Sequence, residues 1–205
     1  MVRSNATNCP KTASHWLKQG KILAYPSESV WGLGCDAFCE SAVNKLLALK
    51  QRSIAKGLIV LSDSIDSISP LLPTPQKQQI LDKLNQSNAT SLSVAQAQTW
   101  LVPVSGVPQF LLGNHQKLAI RITPHRLLKQ LCCHLVDKQN PYGFLISTSC
   151  NLSGTAPAMT LMQAYDYFGD DVYYLQGETL GFDKPSKIND IITCLLYTSD
   201  AADER

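Results

Sequence analysis

Lys50, Arg52 and Lys56 fall within one short run, "KQRSIAKG", with no acid between them. Only 17% of the chain is charged, so three cations here concentrate positive charge. Arginine offers a planar fork of donors to phosphate or carboxylate, and lysine offers a mobile point charge. Positions i and i+2 lie on different faces of a helix. Lys50 and Arg52 can therefore meet one anion only if a helix ends between them, and Ser53 and Gly57 make such an end plausible. The plainer reading is a solvated basic helix end favoured by the dipole. Far downstream, "STSCNLSG" (147–154) sets Ser147, Thr148, Ser149 and Asn151 directly after the apolar run "YGFLI". Hydroxyls, an amide and nearby backbone N–H groups can hold phosphate oxygens or a purine edge. The alternative is a capping loop in which Ser153 or Asn151 opens a turn ahead of Pro157.

A third cluster, "YPSESVWGLGCD" (25–36), places Ser27, Glu28 and Ser29 after a short apolar segment and adds Gly32 and Gly34. Glycine permits close backbone approach to a ligand, or positive φ. By composition alone an ordinary turn is the better reading of this cluster.

The elements that must position these clusters alternate in type. Periodicity predicts helices over 12–19, 41–50, 76–84, 125–136 and 161–168. Strands are predicted at "KILAY", "GLIVL", "TWLVPV", "LAIRI", "YGFLIS" and "VYYL". Such interleaving implies an α/β sheet covered by helices. The polar stretch 85–98, "NQSNATSLSVAQAQ", reads as a long loop. The final segment, "CLLYTSDAADER" (194–205), changes character abruptly and reads as a frayed or foreign tail, so the domain is drawn over 1–190.

Bulk properties narrow the class. With 205 residues and 44% hydrophobic content, one domain with a real core is expected. A formal charge of +2 does not by itself argue for nucleic acid. No signal-peptide h-region and no membrane-length apolar run is visible, which points to a cytoplasmic protein. The seven cysteines are scattered, and Cys35 and Cys39 alone are weak evidence for zinc. No P-loop, G-x-G-x-x-G, H-E-x-x-H or G-x-S-x-G motif occurs.

Taken in order, "YPSESVWGLGCD", "LLALKQRSIAKGLIVL", "LAIRIT-H" and "STSCNLSG-AP" resemble the YrdC/TsaC family of threonylcarbamoyl-AMP synthases, from about residue 12 to about 190. The family pattern K-x-R followed by S-x-N is matched by Lys50, Arg52, Ser149 and Asn151. The resemblance implies a single α/β domain, with a twisted mixed sheet around a large concave basic cavity. It implies an enzyme joining L-threonine, bicarbonate or CO2, and ATP into L-threonylcarbamoyladenylate and pyrophosphate. Downstream proteins then transfer the group to tRNA, and structured RNA is a further implied partner. Lys50 and Arg52 would be catalytic, and Ser27, Arg52 and Arg121 would hold threonine. Lys50, Lys56, Arg121, Ser147, Thr148, Ser149 and Asn151 would hold the nucleotide. ATP enters as substrate, and Mg2+ would be held mainly by phosphates and water, with no dedicated metal ligands.

The chain departs from the family in places. Ser27 stands where the family has threonine, Cys150 replaces an alanine, and Pro124 replaces an acid. Val94-Ala95-Gln96-Ala97 replaces W-P-G-P, which exchanges a rigid turn for a flexible polar one and suggests altered affinity or slower turnover. A non-catalytic double-stranded-RNA-binding module of the same fold is the alternative. A carbamoyl-adenylate enzyme resembling the hydrogenase-maturation domain is a third reading.

Overall fold

The computed structural model describes residues 4–197 except 54, 56, 94, 185 and 194. The elements follow in the order β1 (Ala6–Thr7), α1 (Pro10–Lys18), β2 (Leu23–Pro26), β3 (Trp31–Gly34), α2 (Glu40–Lys50), β4 (Ile59–Ser62), α3 (Lys77–Ser93), β5 (Gln98–Pro103), α4 (Gln109–Leu112), β6 (Lys117–Ile122), α5 (Arg126–Leu135), β7 (Leu145–Ser149), α6 (Leu161–Phe168), β8 (Tyr173–Leu175), β9 (Lys187–Asp190) and β10 (Leu196–Tyr197). Among the described residues the strands form one mixed sheet, in the order β1-β8-β2-β3-β7-β4-β6-β5-β9-β10. β7 is inserted between β3 and β4 and runs antiparallel to both.

Strand alternation gives the sheet two apolar faces. On one face Leu23, Tyr25, Leu61 and Leu145 pack with Ala13 and Leu17 of α1 and Leu128, Leu131 and Leu135 of α5. On the other, Leu33, Val60, Ile120 and Ile146 pack with Val43, Leu46 and Leu47 of α2, and with Ile80 and Leu84 of α3. The 3.6-residue spacing of these leucines is what makes each helix one-sided.

Three sequence expectations are corrected. Residues 85–93 are not a loop, because α3 runs on to Ser93. No glycine or proline interrupts 77–93, and exposed Asn, Gln and Ser are compatible with a helix that is docked elsewhere. One such dock is Trp100, whose indole N–H donates to buried Ser87 at 2.7 Å. The strand predicted at "YGFLIS" instead starts at Leu145 and runs through Ser149, because Tyr142 and Gly143 form a turn in which Gly143 has φ +63°. The ordinary turn preferred for Gly32 and Gly34 is instead a strand, and the close backbone approach that glycine permits is to the fold itself. A Cβ on Gly34 would lie 1.8 Å from the Ile146 carbonyl, and one on Gly32 would meet the Tyr25 ring at 2.5 Å. Both glycines lie in β3, a strand that turn-like composition had concealed.

The loop that replaces W-P-G-P is described from Ala95, Val94 lying outside the described residues. Ala95 has φ +48°, whereas proline requires about −65°. Leu196 and Tyr197, in the segment read as a foreign tail, pair antiparallel with β9, and Cys194 lies outside the described residues. The six described cysteines form no disulfide. No helix among the described residues is long and apolar enough to cross a membrane.

Candidate active site

Helix α2 ends at Lys50, because Gln51 takes the left-handed conformation at φ 51°, ψ 40°. The helix end required between Lys50 and Arg52 is therefore present. Lys50 is 4% exposed, and its ammonium lies under the end of β7. It donates to the carbonyl and hydroxyl of Ser149, to the Asn151 carbonyl at 3.3 Å and to Asn151 Oδ1 at 2.9 Å. Ser149 Oγ also donates to Asn151 Oδ1, at 2.6 Å, and the Asn151 amide donates to the Thr155 carbonyl at 2.6 Å. These acceptors are all neutral oxygens, so they satisfy the ammonium without cancelling its charge. Arg52 sits one residue past the helix cap, where its Nη2 donates to the Gly57 carbonyl at 3.4 Å. Lys56 lies outside the described residues.

Not every hydroxyl of "STSCN" is turned to this cluster. Thr148 donates to the Leu33 carbonyl at 2.9 Å, which ties β7 to β3. Ser147 is buried beside the Tyr25 hydroxyl, and burial raises the Tyr25 pKa well above its ordinary value. Cys150 is fully buried, and burial pushes its thiol up to about 12, so it stays a protonated packing group. The next helix, α6, is capped by Thr160, which accepts from the Gln163 N–H, and neither Asn151 nor Ser153 serves that role.

A second polar cluster forms around Glu28. Arg121 pairs across the sheet with Leu61, and Leu61 with Leu145. Arg121 and Ser147 thus point to the same sheet face. Glu28, in the β2–β3 turn, reaches Arg121 on β6 although β7 and β4 lie between β3 and β6. The turn therefore leans over that face. The Glu28 carboxylate is 1% exposed and accepts from Arg121 Nη1 at 3.0 Å and from the Thr123 hydroxyl at 2.6 Å. Arg121 also donates from Nε to Thr99 and from Nη2 to Ser186, each at 3.3 Å. Ser27 is buried, and its hydroxyl donates to the Val30 carbonyl at 2.6 Å.

Residues 176–184 and 186, between β8 and β9, form a strap across this cluster. The N–H groups of Leu180 and Phe182 donate to the carbonyls of Ser27 and Glu28. His125 holds the strap from below, through Nε2 and the Glu178 carbonyl at 2.9 Å. A carbonyl can only accept, so Nε2 carries a proton, and Nδ1 is buried without a hydrogen-bond partner. Sequence reasoning did not assign Thr99, Thr123, His125 or Ser186. One signal was available: Arg121, Thr123 and His125 alternate at the end of a strand.

The profile of the Sua5/YciO/YrdC family, described as "Telomere recombination", matches residues 15–196. The chain belongs to this family. Curated relatives within it are named threonylcarbamoyl-AMP synthase. The protein of Moraxella catarrhalis is 49% identical over 182 residues, covering 87% of this chain and 89% of its own. That of Psychrobacter arcticus is 45% identical over 196 residues, covering 88% and 91%. Among solved structures, P. abyssi Sua5 complexed with L-threonine superposes with TM-score 0.70 at 22% identity, over 88% of this chain. This chain spans about half of that protein, 50% of its length. E. coli YciO gives TM-score 0.68 at 17% identity, over 88% of this chain and 82% of its own. These structures establish that the mixed α/β fold is the Sua5/YciO/YrdC fold.

Proposed function

We propose that the chain is a threonylcarbamoyl-AMP synthase and that its two polar clusters divide the substrates between them. The observation that carries this reading is the contact of Lys50 with Ser149 and Asn151, which makes K-x-R and S-x-N one constellation. Its charge is the second support. The oxygens of Ser149 and Asn151 that receive the Lys50 ammonium carry no charge, and Arg52 follows two residues on in the chain, so this cluster brings cations that suit the polyphosphate of ATP. The Glu28–Arg121 cluster pairs one anion with one cation, and it suits an amino acid that carries one charge of each sign.

In this reading the neutral threonine amine attacks CO2 and releases a proton, or attacks the carbon of bicarbonate, whose hydroxyl leaves with that proton as water, and either route gives a carbamate. A carbamate oxygen then attacks the α-phosphorus of ATP and pyrophosphate departs, leaving L-threonylcarbamoyladenylate. Lys50, Arg52 and Lys56 stabilise the charge that develops on the phosphates. Ser147, Ser149, Asn151 and the backbone at Thr148 line the nucleotide's side. Arg121 and Arg52 meet the threonine carboxylate. The Ser27 hydroxyl, whose proton goes to Val30, receives an N–H of the threonine amine as an acceptor. Catalysis is then positioning plus electrostatics. The adenylate leaves to transfer proteins that modify tRNA.

Among the described residues no group of three or more His, Cys, Asp and Glu side chains could hold a metal ion, and Glu28 is engaged by Arg121 and Thr123. In this reading Mg2+ arrives on the triphosphate, held by phosphate oxygens and water, and no step above passes through it.

The test is pyrophosphate release by purified protein with ATP, Mg2+ and bicarbonate, with and without L-threonine, beside Arg52→Ala. Threonine-dependent release that disappears in the variant supports the reading. No release, together with salt-sensitive binding of double-stranded RNA, would replace it with an RNA-binding module.

A further inference from the structure

We infer that Glu28 is a positioning residue that aims Arg121 at the substrate carboxylate, an inference that rests on the proposed function. A guanidinium has five N–H donors. Arg121 gives one each to Thr99, Glu28 and Ser186. These three partners come from β5, from the β2–β3 turn and from the strap, and together they fix the plane of the group. Two N–H donors remain, one on each terminal nitrogen. The Arg121 side chain keeps 12% exposure, while Glu28 keeps 1%. The arginine can thus be reached and the carboxylate cannot. A fork with one open N–H on each terminal nitrogen matches the two oxygens of a carboxylate.

Glu28 has no freedom of its own. Oε2 accepts from Arg121, and Oε1 accepts from Thr123, whose oxygen in turn accepts the His125 N–H at 3.2 Å. The backbone carbonyl of Glu28 accepts from Phe182 of the strap at 3.0 Å. Both oxygens of the Glu28 carboxylate are therefore already hydrogen-bonded. Its function is to hold Arg121 and to balance its charge. Without that balance the open fork would attract any phosphate. With it, the cluster is electrically neutral and favours a ligand that brings its own ammonium.

The experiment measures L-threonine and ATP affinity by calorimetry on the full chain, for the wild type, Glu28→Gln, Arg121→Lys and the double variant. Glu28→Gln should weaken threonine by about tenfold, the effect of one unsatisfied buried partner, and leave ATP within about twofold. The double variant should bind threonine no more weakly than Arg121→Lys alone, because both changes remove one device. The same series should show the loss in KM for threonine and not in KM for ATP. If Glu28→Gln fails to fold, Thr123→Val takes its place. That change removes one donor to the carboxylate, and it should shift threonine affinity in the same direction by a smaller factor. Unchanged threonine affinity in a folded variant overturns the inference. So do losses that add in the double variant, or an equal loss for ATP. A wild-type protein that binds no threonine sinks the proposed function along with it. Normal wild-type binding that Glu28→Gln leaves intact sinks only the role given to Glu28.

Discussion

The Lys50 cluster and the Arg121 cluster solve one problem in opposite ways. Each buries a cation near the middle of the sheet. Lys50 is held by carbonyl, hydroxyl and amide oxygens, so its charge survives burial. Arg121 is held against a carboxylate, so its charge is matched on the spot. Burying a charge is costly unless it is paired or thoroughly hydrogen-bonded, and the two clusters use one remedy each. The difference teaches where an anion can still gain. A polyanion gains at Lys50, while only a ligand with both charges gains at Arg121.

The sharpest way to break this contrast is to remove a cation from each side. Arg121→Ala leaves the Glu28 carboxylate buried with Thr123 and without its ion pair. Unfolding free energy should fall by about 3 kcal/mol, read by urea titration, because an abandoned buried charge is costly. Lys50→Met leaves the Ser149 and Asn151 oxygens behind, which carry no charge, so stability should fall less. Pyrophosphate release should nevertheless drop at least about 100-fold, with ATP affinity lost and threonine affinity kept. If Lys50→Met is the more unstable of the two, the contrast is wrong.

A third change tests β7, the strand whose end receives Lys50. Asp36 is buried, accepts from the Phe38 N–H and from Asn140, and bridges to Leu145 at the start of β7. Burial raises its pKa from 3.8 to about 6. A carboxyl that binds its proton more tightly when folded stabilises the protein at low pH. That stability is lost as pH rises from below 4 through about 6. At 1.36 kcal/mol per unit the loss approaches about 3 kcal/mol by pH 7. Asp36→Asn should flatten this slope, read as the urea midpoint between about pH 4.5 and 7.5. The smallest expected effect is at Gln51, where a side chain occupies the left-handed cap position. Gln51→Gly should add about 0.5–1 kcal/mol of stability and leave pyrophosphate release unchanged.

The two clusters also differ in how far they can be read from sequence. Lys50 and Arg52, like Ser149 and Asn151, sit in short contiguous runs, and the requirement for a helix end between 50 and 52 follows from helix geometry alone. The Glu28 cluster draws Thr99, Thr123, His125 and Ser186 from separate stretches. Each is an ordinary polar residue where it stands, and only the strand order brings them together. The helices were legible from leucine spacing, and α6 spans Leu161–Phe168 as its periodicity requires. α3 was cut short because Asn, Gln and Ser were read as loop-formers, although they are only weak helix-formers. β3 was hidden because its two glycines resemble a turn.

Inserting β7 between β3 and β4 has a consequence for the order of folding. Ser149 pairs with Gly32 across more than a hundred residues, and the same strand carries the oxygens that receive Lys50. Such non-local pairing is slow to close. During synthesis the first half of the chain emerges without its central strand, and neither cation has its full set of partners. Ligand binding is thus among the last properties the chain acquires, and its appearance can serve as a signal that folding is complete.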